Sequence, residues 1–527
     1  VSRARRAGAV AAAAGLGFAL LYSTALGAPT APLGHSGRWI TDARGRVAIL
    51  HGVNMVNKKP PYSPAATGFG DDDAAFLQRN GFDAVRLGLI YKGVEPTPGA
   101  YDDGYLDQIA QTEADLARHG VFSQLDFHQD MYNERFQGEG WPDWAVQDDG
   151  LPNPRLGFPA NYFGNPALIR AFDHFWANDP GPGGVGLQDR YAAAWGHVAA
   201  RFASGRHTLG FDVMNEPWPG TPFATCLAVT GCPAFDTGEL EPFYRRVLAQ
   251  IRSVESQKLV WYEPNVLFNF GAETNLPSFG DPSTGFSFHF YCTPGLAVPP
   301  TNATNCDAQG ERVFSNADKR SQTTSDALML TEFGATDDLS TISQDVRKAD
   351  QHMVSWEYWH YCECLDPTTT GTGTQAIVID PNRPPTGDNV KQAKLDVLSE
   401  PYPQLVAGTP TSYGFDPASG RFQLAYSTKG PTGTNFARRH RKRAKRKRSK
   451  GARKSRQTQI FLGHEHYPAG YRVSVEGGGI ASRPGASLLK VIACPRRRSV
   501  TVTVSPPSAG SRSHGDCRVI RHRKRRR

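Results

Sequence analysis

Between about residues 35 and 400, short apolar runs alternate with stretches of helical periodicity, and this alternation constrains the fold more than any other feature of the chain. The runs are RVAILHGVN (46–54), FDAVRLGL (82–89), VFSQLDFH (121–128), LGFDVMNE (209–216), LVWYEP (259–264), FSFHFY (286–291), LMLTEF (328–333) and a segment near Met353–Tyr361. Helical spacing stands out at 104–119, 188–204 and 239–256. Eight strands separated by helices predict an α/β chain closed as a (β/α)8 barrel over residues 35–400. A doubly wound open sheet is the alternative, but no GxGxxG turn supports it.

In a parallel barrel all strand C-termini open on one face. The runs end in polar or aromatic residues: His51, Asn54, Arg86, His128, Asp130, Asn215, Glu216, His289, Tyr291, Glu332 and Trp356. Any one of these is an ordinary loop-facing group, whereas their repetition at strand ends points to a shared pocket. The connection after the third strand, residues 129–187, is long and carries ten aromatic residues, among them Trp141, Trp144, Phe158, Tyr162, Phe163, Phe172 and Trp176. Long connections are usually functional or disordered, and this aromatic density argues against disorder. It reads either as a cap over the barrel helices or as an apolar wall for a substrate.

Beyond residue 402 the texture changes to period-two strands: RFQLAYS (421–427), QIFLGHE (459–465), YRVSVEG (471–477), SLLKVIA (488–494) and SVTVTV (499–504). Punctuated by Gly and Pro, they predict an all-β sandwich over 402–510. A basic run at 438–456 with 13 Lys and Arg interrupts it, and a basic tail (511–527) ends the chain. Like-charge repulsion predicts a disordered loop there. Charge is therefore split: residues 438–527 hold 27 Lys and Arg against three acidic residues, while residues 1–437 hold 32 against 47. The acidic main body argues against a specific nucleic-acid partner. The basic runs read as solvated tails or as adhesion to anionic lipid or wall polymer.

At the N-terminus, Arg3, Arg5 and Arg6 precede an apolar run (7–21) and the small residues Ser23, Ala25, Gly27 and Ala28. That order predicts a secretory signal over 1–28 and a secreted protein, with an uncleaved membrane anchor as the alternative. Eight cysteines fit export. Cys226 with Cys232, Cys292 with Cys306 and Cys494 with Cys517 are close in sequence, which leaves Cys362 and Cys364 one residue apart. Spacing alone leaves 105 pairings open. No second Cys or His pair sits at zinc-like spacing.

Glu216 ends the fourth run within DVMNEP, and Glu332 ends the seventh within LTEFG. Two carboxylates on one barrel face can flank one bond. Glycosidic cleavage needs such a pair, one protonating the leaving oxygen and the other stabilising or attacking the oxocarbenium-like carbon.

DVMNEP, TEFG, RLGL after the second strand and HFY after the sixth resemble glycoside hydrolase family 5, a retaining (β/α)8 family. LDFHQDMYNERFQGEGWPDWA (125–145) and NMVNKKPPYSP (54–64) resemble the endoglycoceramidases and related glycosylceramidases within it. The likeness covers residues 36–405 and extends less firmly over the sandwich, while the insert at 438–456 departs from it. The resemblance implies hydrolysis of the β-glycosidic link between a sugar or oligosaccharide and ceramide, with Glu216 as acid/base and Glu332 as nucleophile. Arg86 and Tyr291 would support the nucleophile, and Asn215 would contact the sugar 2-hydroxyl. His128 and Asp130 would grip other hydroxyls, as would Lys58 or Lys59 at the rim. Trp356 would stack on the sugar's apolar face, and His289 would orient the site. No cofactor and no metal are called for. The expected partners are a glycolipid substrate and a transient membrane or micelle surface, for a monomeric enzyme. An endoglucanase or mannanase of the same family is the nearest alternative, and a non-catalytic surface-binding barrel the remote one.

Overall fold

The computed structural model describes residues 29–293, 306–438, 456–507 and 512–518. The expected signal (1–28), most of the basic insert (439–455) and the end of the basic tail (519–527) lie outside the described residues.

Eight parallel strands close into a barrel: β1 His51–Met55, β2 Ala84–Ile90, β3 Phe122–His128, β4 Thr208–Asp212, β5 Leu259–Tyr262, β6 Thr284–Phe290, β7 Ala327–Phe333 and β8 Ser355–Tyr358. The pairing of β8 with β1 seals it. Each of the eight apolar runs supplies one strand. The runs are rich in apolar residues because the strands are covered by helices outside and packed inside, and the polar residues among them line the upper interior. The helix Asp103–Arg118, for instance, turns Tyr105, Leu106, Ile109 and Leu116 to the barrel, and the Asp102 side chain caps it by accepting the Tyr105 N–H at 2.9 Å.

The barrel interior has two layers. The lower is apolar, with Ala84, Phe122, Leu259, Trp261, Ala327 and Met329. The Trp261 indole fills the space that any side chain at Gly285 would need, so that position takes only glycine. The upper layer is polar and buried: Arg86, Gln124, Asp126, Asp212, Ser287 and Glu357. It forms the floor of the face where the strands end.

Run 46–54 is divided rather than continuous. Val47–Ala48 pairs antiparallel with Leu405–Val406, and only His51–Met55 enters the barrel. With Leu33–Ser36 and Trp39–Asp42, the Val47–Ala48 strand extends a seven-stranded sheet whose other members come from residues 402–493. Leu33, Ile40, Ala48 and Leu50 thereby cover the bottom of the barrel plug. An unbroken apolar run carries no mark of where its pairing partner changes. A five-stranded sheet (Thr409–Asp416, Arg421–Ser427, Ser499–Ser505, Arg472–Glu476 and His514–Gly515) packs on the first. Alternate residues of both sheets, such as Phe422, Leu424, Val502, Ile460 and Val491, meet in one core.

The aromatic connection folds into short helices, including Pro166–Trp176, and most of its aromatic residues are buried. Tyr132 and Trp141 stack at 4.2 Å, and Phe172 and Phe175 pack edge-on against Trp141. It is chiefly a cap; of the residues expected to form a wall, Phe163 remains exposed. Disulfides join Cys226–Cys232, Cys292–Cys306, Cys362–Cys364 and Cys494–Cys517, each cysteine to its neighbour in sequence. Among the described residues no helix is long and apolar enough to cross a membrane.

Candidate active site

Strand alternation puts Arg86, Asp126, His128, Glu263 and His289 on the inner side of β2, β3, β5 and β6 or just beyond them. On β7 strict alternation would fail. Met329 joins the interior plug, so position 331 and not 332 would face inward. The pairing of β7 with β6 shifts register between Leu330 and Glu332, and this irregularity turns Glu332 inward while Phe333 joins the outer core. Glu216 lies four residues past β4 in a left-handed conformation, φ 42°. Its backbone N–H donates to Glu263 Oε2 at 2.9 Å. One carboxylate oxygen of Glu216, one of Glu332 and a ring nitrogen of His289 lie within 4.8 Å of one another.

The two glutamates have different surroundings. Glu332 Oε1 accepts from Arg86 Nη1 at 2.5 Å and Oε2 from the Tyr291 hydroxyl at 2.7 Å. Glu216 Oε1 accepts from Asn269 Nδ2 and faces His289 Nδ1, both at 2.9 Å. Burial pushes the Glu216 carboxyl above the usual range, the His289 hydrogen bond opposes it and the Glu332 charge adds to it. Burial also raises the Tyr291 hydroxyl, helped by Glu332 and Glu216, so it stays a donor.

Arg86 is fully buried and joins the two halves of the site. Its guanidinium reaches Asp126 at 3.0 Å, Asp212 at 3.1 Å, Glu263 at 2.8 Å and Glu332 at 2.5 Å, and donates to Asn215 Oδ1 at 3.1 Å. Burial works against its charge, but the four carboxylates outweigh that and hold it well above its ordinary value. Lysine, with a single point of charge, could not span this fan. Asn215 Nδ2 donates to the Gln129 carbonyl, which fixes the amide at the pocket floor.

A second buried polar group lines the side formed by β1, β3 and the segment after β8. Lys58, not the exposed Lys59, takes part: its Nζ lies 2.6 Å from Asp130 Oδ2, 3.2 Å from Asp366, 3.7 Å from Glu139 and 2.8 Å from the Thr368 hydroxyl. His128 Nδ1 lies 2.8 Å from Asp126 Oδ2. Burial disfavours the His128 imidazolium, but the Asp126 hydrogen bond and the Asp130 carboxylate 3.7 Å away push it up to about 9. Burial would raise the Asp130 carboxyl, yet Lys58 and His128 together hold it well below the usual range.

Trp356 requires a correction. It is fully buried on the outer side of β8, stacked on His51 at 4.1 Å and edge-on to Phe333. There it cannot touch a sugar. The inner side of the same segment carries Glu357 and then Trp359, which lies parallel to His128 at 5.1 Å and beneath the Lys58 ammonium at 4.6 Å. His51, likewise, opens its strand and stacks on Tyr402. Trp359, Glu263 and Asn269 are among the site residues that sequence reasoning missed, with the buried partners Asp126, Asp212, Glu139, Asp366 and Thr368. Counting alternation inward from Trp356 finds Trp359 one step past Glu357, but nothing in the sequence marks Asn269.

An apolar rim starts two residues after Glu216. Trp218 stacks on Phe223 at 4.3 Å, and Phe163, 51% exposed, packs against both. The groupings Glu216–His289–Glu332 and His128–Asp130–Glu139 bring donor atoms close enough to hold an ion. Most of their donor atoms already serve Arg86, Tyr291, Asn269, Asp126 or Lys58.

Residues 42–364 match the family model described as cellulase (glycosyl hydrolase family 5), and residues 401–504 match the glycoside hydrolase family 5 C-terminal domain. Over 500 residues the chain is 31% identical to endoglycoceramidase I of Rhodococcus hoagii (strain 103S), covering 92% of this chain and 90% of that protein. It is 28% identical over 420 residues to an endoglycoceramidase of Cyanea nozakii, covering 73% and 79%. The solved endo-glycoceramidase II from Rhodococcus sp. as a lactosyl-enzyme intermediate is 28% identical with a TM-score of 0.69, covering 89% of this chain and 99% of that chain. Its ganglioside GM3 complex is 26% identical, with the same TM-score and coverage.

Proposed function

The chain belongs to glycoside hydrolase family 5, and from that premise we propose that it is an exported, retaining endoglycosidase that releases intact oligosaccharide from ceramide in glycosphingolipids. The observation that carries this reading is the pair of dissimilar carboxylates with oxygens within 4.8 Å. Retaining enzymes hold their carboxyl groups about 5–5.5 Å apart, whereas inverting enzymes need about 6.5–9.5 Å to admit a water.

Glu332 is the nucleophile. The Arg86 cation and the Tyr291 hydroxyl both donate to it, as suits a carboxylate that must attack carbon. Glu216 is the acid/base. Asn269 and His289 both address its Oε1, which leaves Oε2 to carry the transferable proton. In the first step Glu332 bonds to the anomeric carbon, the glycosidic C–O bond breaks, and the Glu216 proton leaves with ceramide as its alcohol. Glu216, now a carboxylate, then takes a proton from water, whose oxygen displaces Glu332 with a second inversion. Asn215 contacts the 2-hydroxyl. Lys58, His128 and Asp130 form the wall for the other hydroxyls, and Trp359 supplies the ring for the sugar's apolar face. Trp218, Phe223 and Phe163 lie on the Glu216 side, where the lipid leaves, and an apolar rim lowers the cost of exposing alkyl chains. Endoglycoceramidases at 31% and 28% identity support the lipid substrate, and four disulfides support export.

The test is product analysis on lactosylceramide and ganglioside GM3 in detergent, beside carboxymethylcellulose. Intact glycan plus ceramide, lost on Glu332→Gln substitution in a protein that still folds, is the expected result. Hydrolysis of the polymer alone would place the chain with the endoglucanases of its family.

A further inference from the structure

Of the buried carboxylates that take no step in the mechanism, one touches both catalytic halves. Glu263, the first residue after β5, is almost inaccessible to solvent. Its two oxygens serve different partners. Oε2 accepts the backbone N–H of Glu216 at 2.9 Å. Oε1 accepts Arg86 Nη2 at 2.8 Å and faces His289 Nε2 at 3.2 Å. Arg86 grips Glu332 with its other arm, and His289 addresses Glu216 with its other nitrogen. One carboxylate thus touches the main chain of one catalytic glutamate and a direct partner of each. Its own backbone is clamped: the Tyr244 hydroxyl donates to the Glu263 carbonyl at 2.7 Å and accepts its N–H at 3.2 Å.

Glu216 holds a left-handed conformation, φ 42°, that side chains other than glycine adopt at a cost. The Glu263 carboxylate satisfies the N–H that this conformation turns inward. We propose that Glu263 is a positioning residue for general acid catalysis, fixing the Glu216 main chain and, by facing His289 Nε2, keeping the imidazole charged with its Nδ1 proton on Glu216 Oε1. This inference rests on the assignment of Glu216 as acid/base. The charged and titratable groups around the pair are Arg86 from β2, Asp212 from β4, Glu216, Glu332 from β7, Tyr191 from the helix Leu187–Phe202 and Tyr244 from the helix Glu241–Val254. Burial opposes the His289 imidazolium, and Glu263, Glu332 and Glu216 outweigh it, holding its pKa well above the ordinary value.

Two substitutions separate the two parts of the role. In Glu263→Gln the amide oxygen still accepts the Glu216 N–H, but the NH2 now faces Arg86 and His289, both donors. His289 loses its charge, and with it the interaction that lowers the Glu216 carboxyl. The alkaline limb of kcat/KM on lactosylceramide, where the acid loses its proton, then moves up by about one pH unit. In Glu263→Asp the charge stays and the reach to the N–H is lost. The limb then stays in place, while turnover of lactosylceramide falls about 10–100-fold and bond cleavage in a dinitrophenyl lactoside, whose leaving group needs no proton, changes little. An unshifted limb in Gln, or an equal loss on both substrates in Asp, would overturn the proposal. Should the variants fail to fold, 15N spectra of the native protein decide. An imidazolium at His289 through neutral pH supports the proposal, and a neutral ring refutes it. Full lactosylceramide activity in Glu216→Gln would instead remove the acid/base assignment itself, whatever Glu263 does.

Discussion

Glutamine at position 216 changes one proton and almost nothing else, so its effect can be worked out from the contacts. Oε1 of Glu216 meets two donors, Asn269 Nδ2 and His289 Nδ1, each at 2.9 Å. A glutamine must put its carbonyl oxygen there and its NH2 where Oε2 stood, facing the leaving oxygen. The shape and both hydrogen bonds survive, so thermal stability should stay within about 1 kcal/mol. General acid catalysis contributes about 10²–10⁴ in rate, or roughly 3–5 kcal/mol of barrier. On lactosylceramide, whose alkoxide cannot leave without a proton, kcat/KM should fall by that whole factor. On a dinitrophenyl lactoside the first step should run nearly as before. The second step lacks its base, so stopped-flow traces should show a burst of phenolate followed by slow turnover. Added azide needs no base and should restore turnover, giving the β-glycosyl azide. Equal losses on the two substrates, or no response to azide, would refute the assignment of Glu216 and the two-step scheme with it.

Three further outcomes follow from particular contacts. Lys58→Met leaves Asp130, Glu139 and Asp366 buried without their shared cation; denaturant unfolding should lose about 3–5 kcal/mol, part of it regained by Asp366→Asn, and a loss below 1 kcal/mol would contradict the charge balance. Phe163→Ser removes half-exposed apolar surface from the rim; KM for lactosylceramide should rise about 5–10-fold with little change for an aryl lactoside, since a half-buried aromatic contributes about 1 kcal/mol. Glu400 is pushed up to about 7, chiefly by burial, with Arg347 opposing. The folded state therefore holds that proton more tightly than the unfolded chain, and stability falls as pH rises from the ordinary glutamate range to about 7. Glu400→Gln should raise the unfolding free energy at pH 8 by at most about 3 kcal/mol and leave it unchanged near pH 4, as differential scanning calorimetry across that range would record.

What could be read beforehand divides along a physical line. The eight barrel strands were legible because burial on both faces leaves an apolar run that helices interrupt, and the sandwich strands because one buried face leaves alternation. Glu216 and Glu332 were found as motifs, not by periodicity. From Met329 inward, alternation points Glu332 out of the barrel, and only the register shift at Leu330–Glu332 turns it in. A bulge of that kind has no local signature here. The same blindness misplaced the tryptophan: Trp356 and Trp359 stand three residues apart on opposite faces of one segment, and their order can be told only once β8 is known to run from Ser355 to Tyr358. Aromatic density in 129–187 could not distinguish a cap from a wall, since both require the same residues and differ in what lies behind them. The pairing of Val47–Ala48 with Leu405–Val406 joins segments some 350 residues apart, beyond any window of local pattern. Glu263 is the most instructive case. It stands before a proline at the end of a short strand and looks like any solvent-facing terminus. The partners of its carboxylate all come from elsewhere in the barrel: Arg86 from β2, Glu216 past β4 and His289 from β6. Closure of the barrel is what turns an ordinary strand-end acid into a group touching both halves of the site, so the residues that tune such a site are the ones a linear reading passes over.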